Sequence, residues 1–464
     1  MTLGYESTRG RADNVDFPGA LLAGLASDGG LFCPSDVPAL PEIPAGAGYV
    51  EVAQLVMWPF VEGTIDRDDF FAMVAESYAC FRDPLVCPVH DLGDGHHLLD
   101  LTQGPTLAFK DVALQLVGRL LDNELGRQQR RMTVLAATSG DTGSAAIEAL
   151  RGRANVDIMV LHPEGRVSEV QRRQMTTVDA DNVRNVAVVE ASFDDCQNLV
   201  KAAFNDPELR AAFGLAAVNS INWARVMAQI VYYVWAARLV IGESGDPVSF
   251  TVPTGNFGNI LAGWYAKRMG LNIDQLVVAS NRNDVLTRFF ETGALASRRV
   301  EPSLSPSMDI QISSNFERLL WEASGRDGRQ VDDVLGRFAS EGLSAVPDEW
   351  VAAIRSEFDA GRLDDDGTLA EIAHIHDRLA MLIDPHTAVG TNVARRLRRN
   401  PDVPMITLST AAPAKFPDAV EQATGVRPPL PPFLSELFER PEFCQRADNS
   451  LADVAALLRE FTGR

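Results

Sequence analysis

A lysine lies inside an otherwise apolar stretch of the chain, GPTLAFKD, at position 110. Lysine is seldom buried in a folded protein without a functional reason. Burial favours the neutral form of an amine, because the charged form loses its hydration, and a neutral amine can form a Schiff base with an aldehyde. The alternative is that Lys110 extends from the start of a helix into solvent, which is the commoner position for a lysine.

Two glycine-rich segments are candidate anion sites: PTGNFGN (253–259) and TSGDTGS (138–144). Each follows an apolar run and precedes a helix-like run, where free backbone amides and the helix dipole favour phosphate or carboxylate. Neither segment matches a dinucleotide fingerprint or a P-loop. The alternatives are an ordinary turn at the first segment and helix capping by Ser139 or Asp141 at the second. Together with Lys110, the two segments indicate a phosphate-bearing cofactor, an acidic substrate and an amine nucleophile.

The elements that must position these residues alternate between strand and helix. Strands are predicted in RMTVLAAT, VDIMVLHPEG, PVSFTVPT, DQLVVASNRND and VPMITLSTAAPAKF, and the run VMAQIVYYVWAARLVIG (226–242) predicts a buried helix. This alternation predicts an α/β fold with largely parallel sheets, which bind ligands at the carboxyl ends of their strands. We expect an N-terminal α/β region over 1–95 and a catalytic core over 96–464, with a small lobe at roughly 130–215 and the remainder as a large lobe.

The overall composition is that of an acidic globular protein of 464 residues with a net charge of −21. Such a surface repels nucleic acid and anionic lipid, so neither is an expected partner. The five cysteines lack CxxC spacing, which favours a reducing compartment, and we predict a cytoplasmic protein. His374 and His376 have no further ligand at suitable spacing, so no metal site is predicted.

A family resemblance is carried by motifs in order along the chain. They are YESTRG, LLAGLASDGGLF, GPTLAFKD followed by LQL, ATSGDTGS, VNSINWARVMAQIVYY, PTGNFGN, SPSMDIQISSNFERLL, DPHTAVG and STAAPAKF. As a set they resemble threonine synthase over nearly the whole chain. One departure from the family pattern is Ala412, at a position where many relatives are expected to have a histidine.

The resemblance implies a pyridoxal 5′-phosphate enzyme of fold type II, the tryptophan synthase β-like architecture, with a two-lobed core. It implies conversion of O-phospho-L-homoserine and water to L-threonine and phosphate, a carbon–oxygen lyase reaction and the last step of threonine biosynthesis. Lys110 matches the lysine that binds the cofactor covalently, and Thr410 matches the residue facing the pyridine nitrogen. The other residues expected at the cofactor are Asp141, Gly255, Asn256, Phe257, Gly258 and Asn259.

The substrate has two anionic ends, and the sequence does not assign each end to a segment. The residues expected to bind them are Ser139, Thr142, Asn219, Ser220, Asn222, Arg225 and Lys415. For Arg225 the alternative is a surface ion pair, the usual role of an arginine. A phospholyase resembling threonine synthase, or another fold type II dehydratase or synthase, is the alternative function. We expect a monomer or a weak homo-oligomer.

Overall fold

The structure is a computed structural model that describes residues 2–138, 140–216 and 220–463. Its strands are β1 Tyr5–Ser7, β2 Phe32–Pro34, β3 Val89–Gly93, β4 His96–Asp100, β5 Met132–Ala137, β6 Val156–Pro163, β7 Val183–Val188, β8 Leu215–Ala216, β9 Val248–Pro253, β10 Ile273–Ser280, β11 Ala294–Ala296, β12 Leu343–Ala345, β13 Phe358–Arg362, β14 Met405–Ser409 and β15 Gln445–Ala447. The five strands predicted from the sequence correspond to β5, β6, β9, β10 and β14, so those predictions are confirmed.

The helices connect and flank these strands. They are α1 Phe17–Ala23, α2 Tyr49–Val61, α3 Arg67–Tyr78, α4 Lys110–Arg127, α5 Asp141–Leu150, α6 Glu169–Thr176, α7 Phe193–Asn205, α8 Pro207–Phe213, α9 Trp223–Ile241, α10 Gly258–Met269, α11 Val285–Thr292, α12 Phe316–Ala323, α13 Gly328–Glu341, α14 Asp348–Glu357, α15 Asp365–Leu379, α16 Pro385–Leu397, α17 Pro417–Thr424 and α18 Leu451–Thr462. Short 3₁₀ turns lie at Pro306–Met308, Pro413–Lys415 and Pro432–Leu434.

The chain forms two compact units. The first unit comprises residues 1–104 and 220–428. Its main sheet has the strand order β13-β10-β9-β14-β4-β3, and its pairs are parallel except β3 with β4. The chain enters α10 directly after β9, and β14 leads directly to Thr410. Because β9 and β14 are paired and parallel, both segments leave the same edge of this sheet.

The helix α9 supplies much of the core of the first unit. By length and composition it is apolar enough to cross a membrane, but all its residues from Trp223 to Ala237 are buried. It packs beside α10 and α2. This confirms the buried helix predicted for 226–242.

The second unit comprises residues 105–219 and 429–464. Its sheet is parallel throughout, in the order β15-β7-β6-β5-β8. An apolar core that includes Leu135, Met159, Val186 and Leu458 lies against it. Cys196 belongs to the same core, as its position on a helix face predicts.

The segment 429–464 was expected in the large lobe but belongs to the second unit. The short strand β15 extends the sheet by pairing in parallel with β7, with Gln445 opposite Val186. No local pattern in the sequence indicates this long-range pairing. The predicted N-terminal region of residues 1–95 lies within the first unit, and its boundary stays a prediction.

Candidate active site

Lys110 is the first residue of α4, and the turn that precedes it is tightly fixed. Thr106 donates from its backbone amide and its hydroxyl to the two carboxylate oxygens of the buried Asp111, at 2.8 and 2.7 Å. Leu107 adopts a left-handed conformation with φ of 64°, which costs a side-chain-bearing residue about 1–2 kcal/mol. The hydrogen bonds across this turn hold that conformation in place. The position of Lys110 is therefore set by the turn before it.

The Lys110 ammonium is buried and faces a carboxylate. Only 8% of the residue is exposed, and Nζ lies 3.3 Å from Asp141 Oδ2. The other oxygen of Asp141 accepts from Gln171 Nε2 at 2.8 Å, and Gln171 Oε1 accepts from the Ser168 hydroxyl at 2.9 Å. The alternative of a solvent-extended Lys110 is therefore wrong. Gln171 was not predicted, because nothing in EVQRRQMT distinguishes it from Gln174.

In the segment TSGDTGS, the described side chain that caps the helix is that of Thr138 and not that of Asp141. Thr138 Oγ1 accepts from the amides of Gly140 and Gly143, at 3.0 and 2.9 Å. Asp141 is thereby left to face Lys110 instead of capping the helix. Thr142 lies half-buried in the first turn of α5. Ser139 and Asn219, both predicted at the substrate, lie outside the described residues.

The loop from Gly255 to Asn259 presents free backbone amides within the first unit. The carbonyl of Gly255 accepts from the Ser313 hydroxyl at 2.7 Å, and that of Asn256 accepts from Asn315 Nδ2 at 2.9 Å. The amides of Gly255, Asn256 and Phe257 donate to none of the described residues. The first amides of α10 follow directly and lack intrahelical partners. Such a row of free donors at a helix N-terminus is a site for a phosphate.

Two residues of this loop anchor it by their side chains. Phe257, at φ 62°, inserts a buried ring against Phe316 and Phe358, with ring centroids 5.1 and 5.7 Å away. Asn259 Oδ1 accepts from the hydroxyls of Tyr232 and Tyr233, at 2.5 and 3.0 Å. These contacts stabilise the loop, while the buried Nδ2 of Asn259 has no hydrogen-bond partner among the described residues.

Arg225 lies in the first turn of α9 and is buried, with no counter-ion among the described residues. Burial lowers the pKa of its guanidinium to about 10, which still leaves the group charged at pH 7. Within residues 2–138, 140–216 and 220–463, its buried Nε has no hydrogen-bond partner and no carboxylate forms an ion pair with it. The surface ion pair considered as an alternative is therefore wrong. A buried charge of this kind is costly unless an anion neutralises it.

Asn222 and Ser220, which lie close to Arg225 in the sequence, have different contacts. Asn222 caps α9, accepting from the amide of Ala224 at 3.1 Å and donating to the carbonyl of Leu21 at 2.8 Å. Its side-chain amide is thus engaged at both ends, which supports a structural role. Ser220 Oγ lies 3.3 Å from Ser314 Oγ, and the Ser220 carbonyl accepts from Asn315 Nδ2 at 3.0 Å. Ser220 is therefore tied to the segment that also holds the glycine loop.

The segment after β14 contributes two buried polar residues. Thr410 is 6% exposed, and its hydroxyl has no hydrogen-bond partner among the described residues. Lys415 is completely buried at the end of the turn Pro413–Lys415. Ala412, which replaces the histidine expected in relatives, is buried as well.

Comparison with known families gives a consistent result along the chain. A model described as threonine synthase N terminus matches residues 4–78, and one described as pyridoxal-phosphate dependent enzyme matches residues 90–346. A third, threonine synthase, C-terminal, matches residues 387–458. A curated threonine synthase from Pseudomonas aeruginosa is 50% identical over 465 residues, covering 99% of both chains.

The chain belongs to the threonine synthase family.

Two solved threonine synthases share its structure. The pyridoxal-phosphate-bound threonine synthase from Brucella melitensis is 49% identical, with a TM-score of 0.96 and complete coverage of both chains. The threonine synthase from yeast is 36% identical, with a TM-score of 0.94 and 99% coverage of both. These likenesses confirm the α/β pyridoxal-phosphate fold type II and the predicted enzyme class.

The residues of the chain fit the cofactor of the threonine synthase family. Lys110 supplies a buried primary amine for the aldehyde, and the free amides from Gly255 to Phe257 suit the phosphate ester. The cofactor prediction, pyridoxal 5′-phosphate, is confirmed by the family match. The contribution of each individual residue stays a prediction.

Proposed function

We propose that this chain converts O-phospho-L-homoserine and water to L-threonine and phosphate, with Lys110 as the catalytic residue. The observation that carries the substrate assignment is Arg225, a buried guanidinium without a counter-ion in the described part of the chain. Enzymes that release no phosphate do not need such a cation. A phosphomonoester, which accepts bidentate hydrogen bonds from arginine, suits it.

Lys110 has two roles in the proposed reaction. Its Nζ would hold the cofactor covalently at the aldehyde carbon before the substrate arrives, and Nζ would become a free amine when the substrate amine takes its place at that carbon. Once it is free, Nζ removes the proton from the substrate Cα. Nζ is within reach of this carbon because the substrate amine has just taken its place nearby. Asp141 and Gln171 orient Nζ between these roles, since Asp141 lies 3.3 Å from it and is itself held by Gln171.

Bound pyridoxal phosphate supplies an electron-withdrawing ring that stabilises carbanion charge next to the substrate nitrogen. In the proposal the amides of Gly255 to Asn259 would hold its phosphate, and Thr410 would be the residue at the pyridine nitrogen. A threonine hydroxyl there does not hold a proton on the ring nitrogen as a carboxylate does. The protein groups around the substrate therefore have more influence over which bond reacts.

The remaining predicted residues bind the substrate. Arg225 and Ser220 are assigned to one anionic end, together with Asn219 and with Lys415 as a second cation. Thr142 and Ser139, in TSGDTGS, are assigned to the other end. Asn222 acts indirectly, by capping the helix that carries Arg225. The monomeric or weakly oligomeric state and the cytoplasmic location remain predictions.

The function is tested by supplying O-phospho-L-homoserine to the holoenzyme and measuring both products. We expect threonine and inorganic phosphate in equal amounts, and in H₂¹⁸O the threonine hydroxyl should carry the label. O-acetyl-L-homoserine, which lacks the phosphate, serves as the control substrate and should react poorly. Release of phosphate with 2-oxobutyrate and without threonine would instead establish the phospholyase alternative.

A substitution at Gly255 should weaken cofactor binding. A Cβ at this position would lie 2.8 Å from the Ser307 carbonyl oxygen, so the loop must shift. We expect Gly255→Ala to raise the Kd for pyridoxal phosphate about tenfold, the effect of losing roughly one charge-assisted hydrogen bond. Absorbance titration of the cofactor-depleted chain measures this.

The matched control is Gly336→Ala, because a Cβ added there, within α13, meets no atom within 4 Å. This control should bind the cofactor normally and unfold at a slightly higher temperature. Unchanged cofactor affinity in Gly255→Ala would contradict the assignment of the loop to the cofactor phosphate.

A further inference from the structure

The start of α16 carries a buried pair of ionisable side chains with no role in the mechanism above. Asp384 is completely buried and caps the helix, accepting from the amides of His386 and Thr387 at 3.0 and 3.1 Å. The same carboxylate lies 2.6 Å from His386 Nδ1. His386 is 2% exposed, and its ring packs edge-on against Phe416 with centroids 4.9 Å apart. The imidazole is therefore held in one orientation.

The second ring nitrogen of His386 reaches the glycine loop through one residue. His386 Nε2 accepts from the amide of Ser307 at 3.2 Å, so the ring hydrogen lies on Nδ1 and points to Asp384. The carbonyl of Ser307 in turn occupies the space beside Gly255, 2.8 Å from where a Cβ would stand. The imidazole thus fixes the peptide segment against which Gly255 rests.

The same aspartate also reaches the strand end before Thr410. The Thr387 hydroxyl donates to Asp384 Oδ1 and lies 3.2 Å from Ser409 Oγ. Ser409 is the last residue of β14 and directly precedes Thr410. One buried carboxylate therefore connects to the loop at Gly255 through His386, and to the strand end through Thr387.

We propose that Asp384 and His386 are positioning residues that set the glycine loop and the Thr410 segment in register for the cofactor. This rests on the proposed function of the loop in holding the cofactor phosphate. The pair acts through Ser307 and Ser409, and it contacts neither substrate nor cofactor in this scheme. The imidazole contributes an acceptor for the partly buried backbone amide of Ser307, and loss of that acceptor removes this link to the loop.

The proposal is tested by comparing two ligands that differ only in the phosphate ester. Cofactor-depleted full-length His386→Leu is titrated with pyridoxal 5′-phosphate and with pyridoxal. We expect the Kd for pyridoxal 5′-phosphate to rise about tenfold, the typical effect of losing one hydrogen bond that fixes a binding loop, while the Kd for pyridoxal changes less than about twofold. His386→Gln, whose amide can donate and accept, should recover most of the affinity.

The matched control is His96→Leu. His96 is a half-buried histidine of the first unit, and its Nε2 lies 2.8 Å from the Thr407 hydroxyl within the sheet instead of bonding to the segment beside Gly255. This variant should leave both affinities unchanged. If His386→Leu does not fold, His386→Asn, too short to reach Ser307, replaces it in the same comparison.

Three outcomes would overturn the proposal. Equal weakening of both ligands would mean that His386 only stabilises the fold, and unchanged affinities would mean that it does not position the loop. Gly255→Ala, titrated in parallel, distinguishes failure of the positioning role of His386 from failure of the role of the loop in holding the cofactor phosphate. If it weakens pyridoxal 5′-phosphate binding while His386→Leu does not, the positioning proposal alone fails; if neither weakens it, the role of the loop fails and the proposal with it.

Discussion

Replacement of Lys110 by alanine should lower kcat/KM for O-phospho-L-homoserine by about 10⁴-fold, the upper end of what proton transfer by one side chain contributes. The variant loses both the amine that holds the cofactor and the base that acts at the substrate Cα. The fold should persist, because Lys110 stands at the start of α4 and the turn before it is held by Thr106 and Asp111. Steady-state assays of threonine and phosphate release measure the loss.

Lys201→Ala is the matched control for this experiment. Lys201 is exposed on α7, and its removal should leave kcat/KM unchanged. Lys110→Ala removes the nitrogen that lies 3.3 Å from Asp141 Oδ2, so added small amines should restore part of the activity by entering the vacated space. Retention of more than about one tenth of wild-type activity by Lys110→Ala would contradict the role of this residue.

The second large effect is expected at Arg225, where activity and stability should change in opposite directions. Arg225→Met should lower kcat/KM for O-phospho-L-homoserine by about 10²–10³-fold, because a buried charge-assisted contact to the substrate is worth several kcal/mol. The cofactor content of the purified protein should not change. Steady-state kinetics and the cofactor absorbance report the two quantities separately.

The same substitution should raise the free energy of unfolding of the ligand-free protein by about 1–3 kcal/mol, since it removes a buried charge that lacks a partner in the described part of the chain. Arg238→Ala is the control on the same helix. Arg238 is near the surface, bonded to the Pro44 carbonyl at 2.9 Å, and its loss should change kcat/KM little. Equal losses of cofactor and substrate binding in Arg225→Met would argue against a substrate contact.

Much of the site was predictable from local sequence because its main parts are local. A strand followed by a glycine turn and a helix is visible at 253–259 and 138–144, and the structure has β9, α10, β5 and α5 there. A lysine in an apolar run is conspicuous for its burial cost alone. The cofactor and the reaction were predicted from the resemblance of the whole set of motifs to the threonine synthase family.

The contacts that hold these parts were not predictable, because they join residues distant along the chain. Gln171 meets Asp141, 30 positions away, and the amide of Ser307 meets His386, 79 positions away. Their sequence surroundings give no periodic signal, since each partner is selected by tertiary packing. Capping by Thr138 was not predicted either. Thr138, Ser139 and Asp141 all have side chains that can cap a helix, and the sequence does not distinguish among them.

The covalent role of Lys110 is tested most directly by mapping the cofactor after borohydride reduction of the wild-type holoenzyme. Borohydride fixes a cofactor that is bound through its aldehyde, and peptide mass spectrometry locates the modified residue. The chain has four lysines, Lys110, Lys201, Lys267 and Lys415, so the assignment is unambiguous. We predict one pyridoxyl group per chain, on Lys110. Modification of Lys415 or another lysine, or no fixed cofactor in an active preparation, would contradict the account.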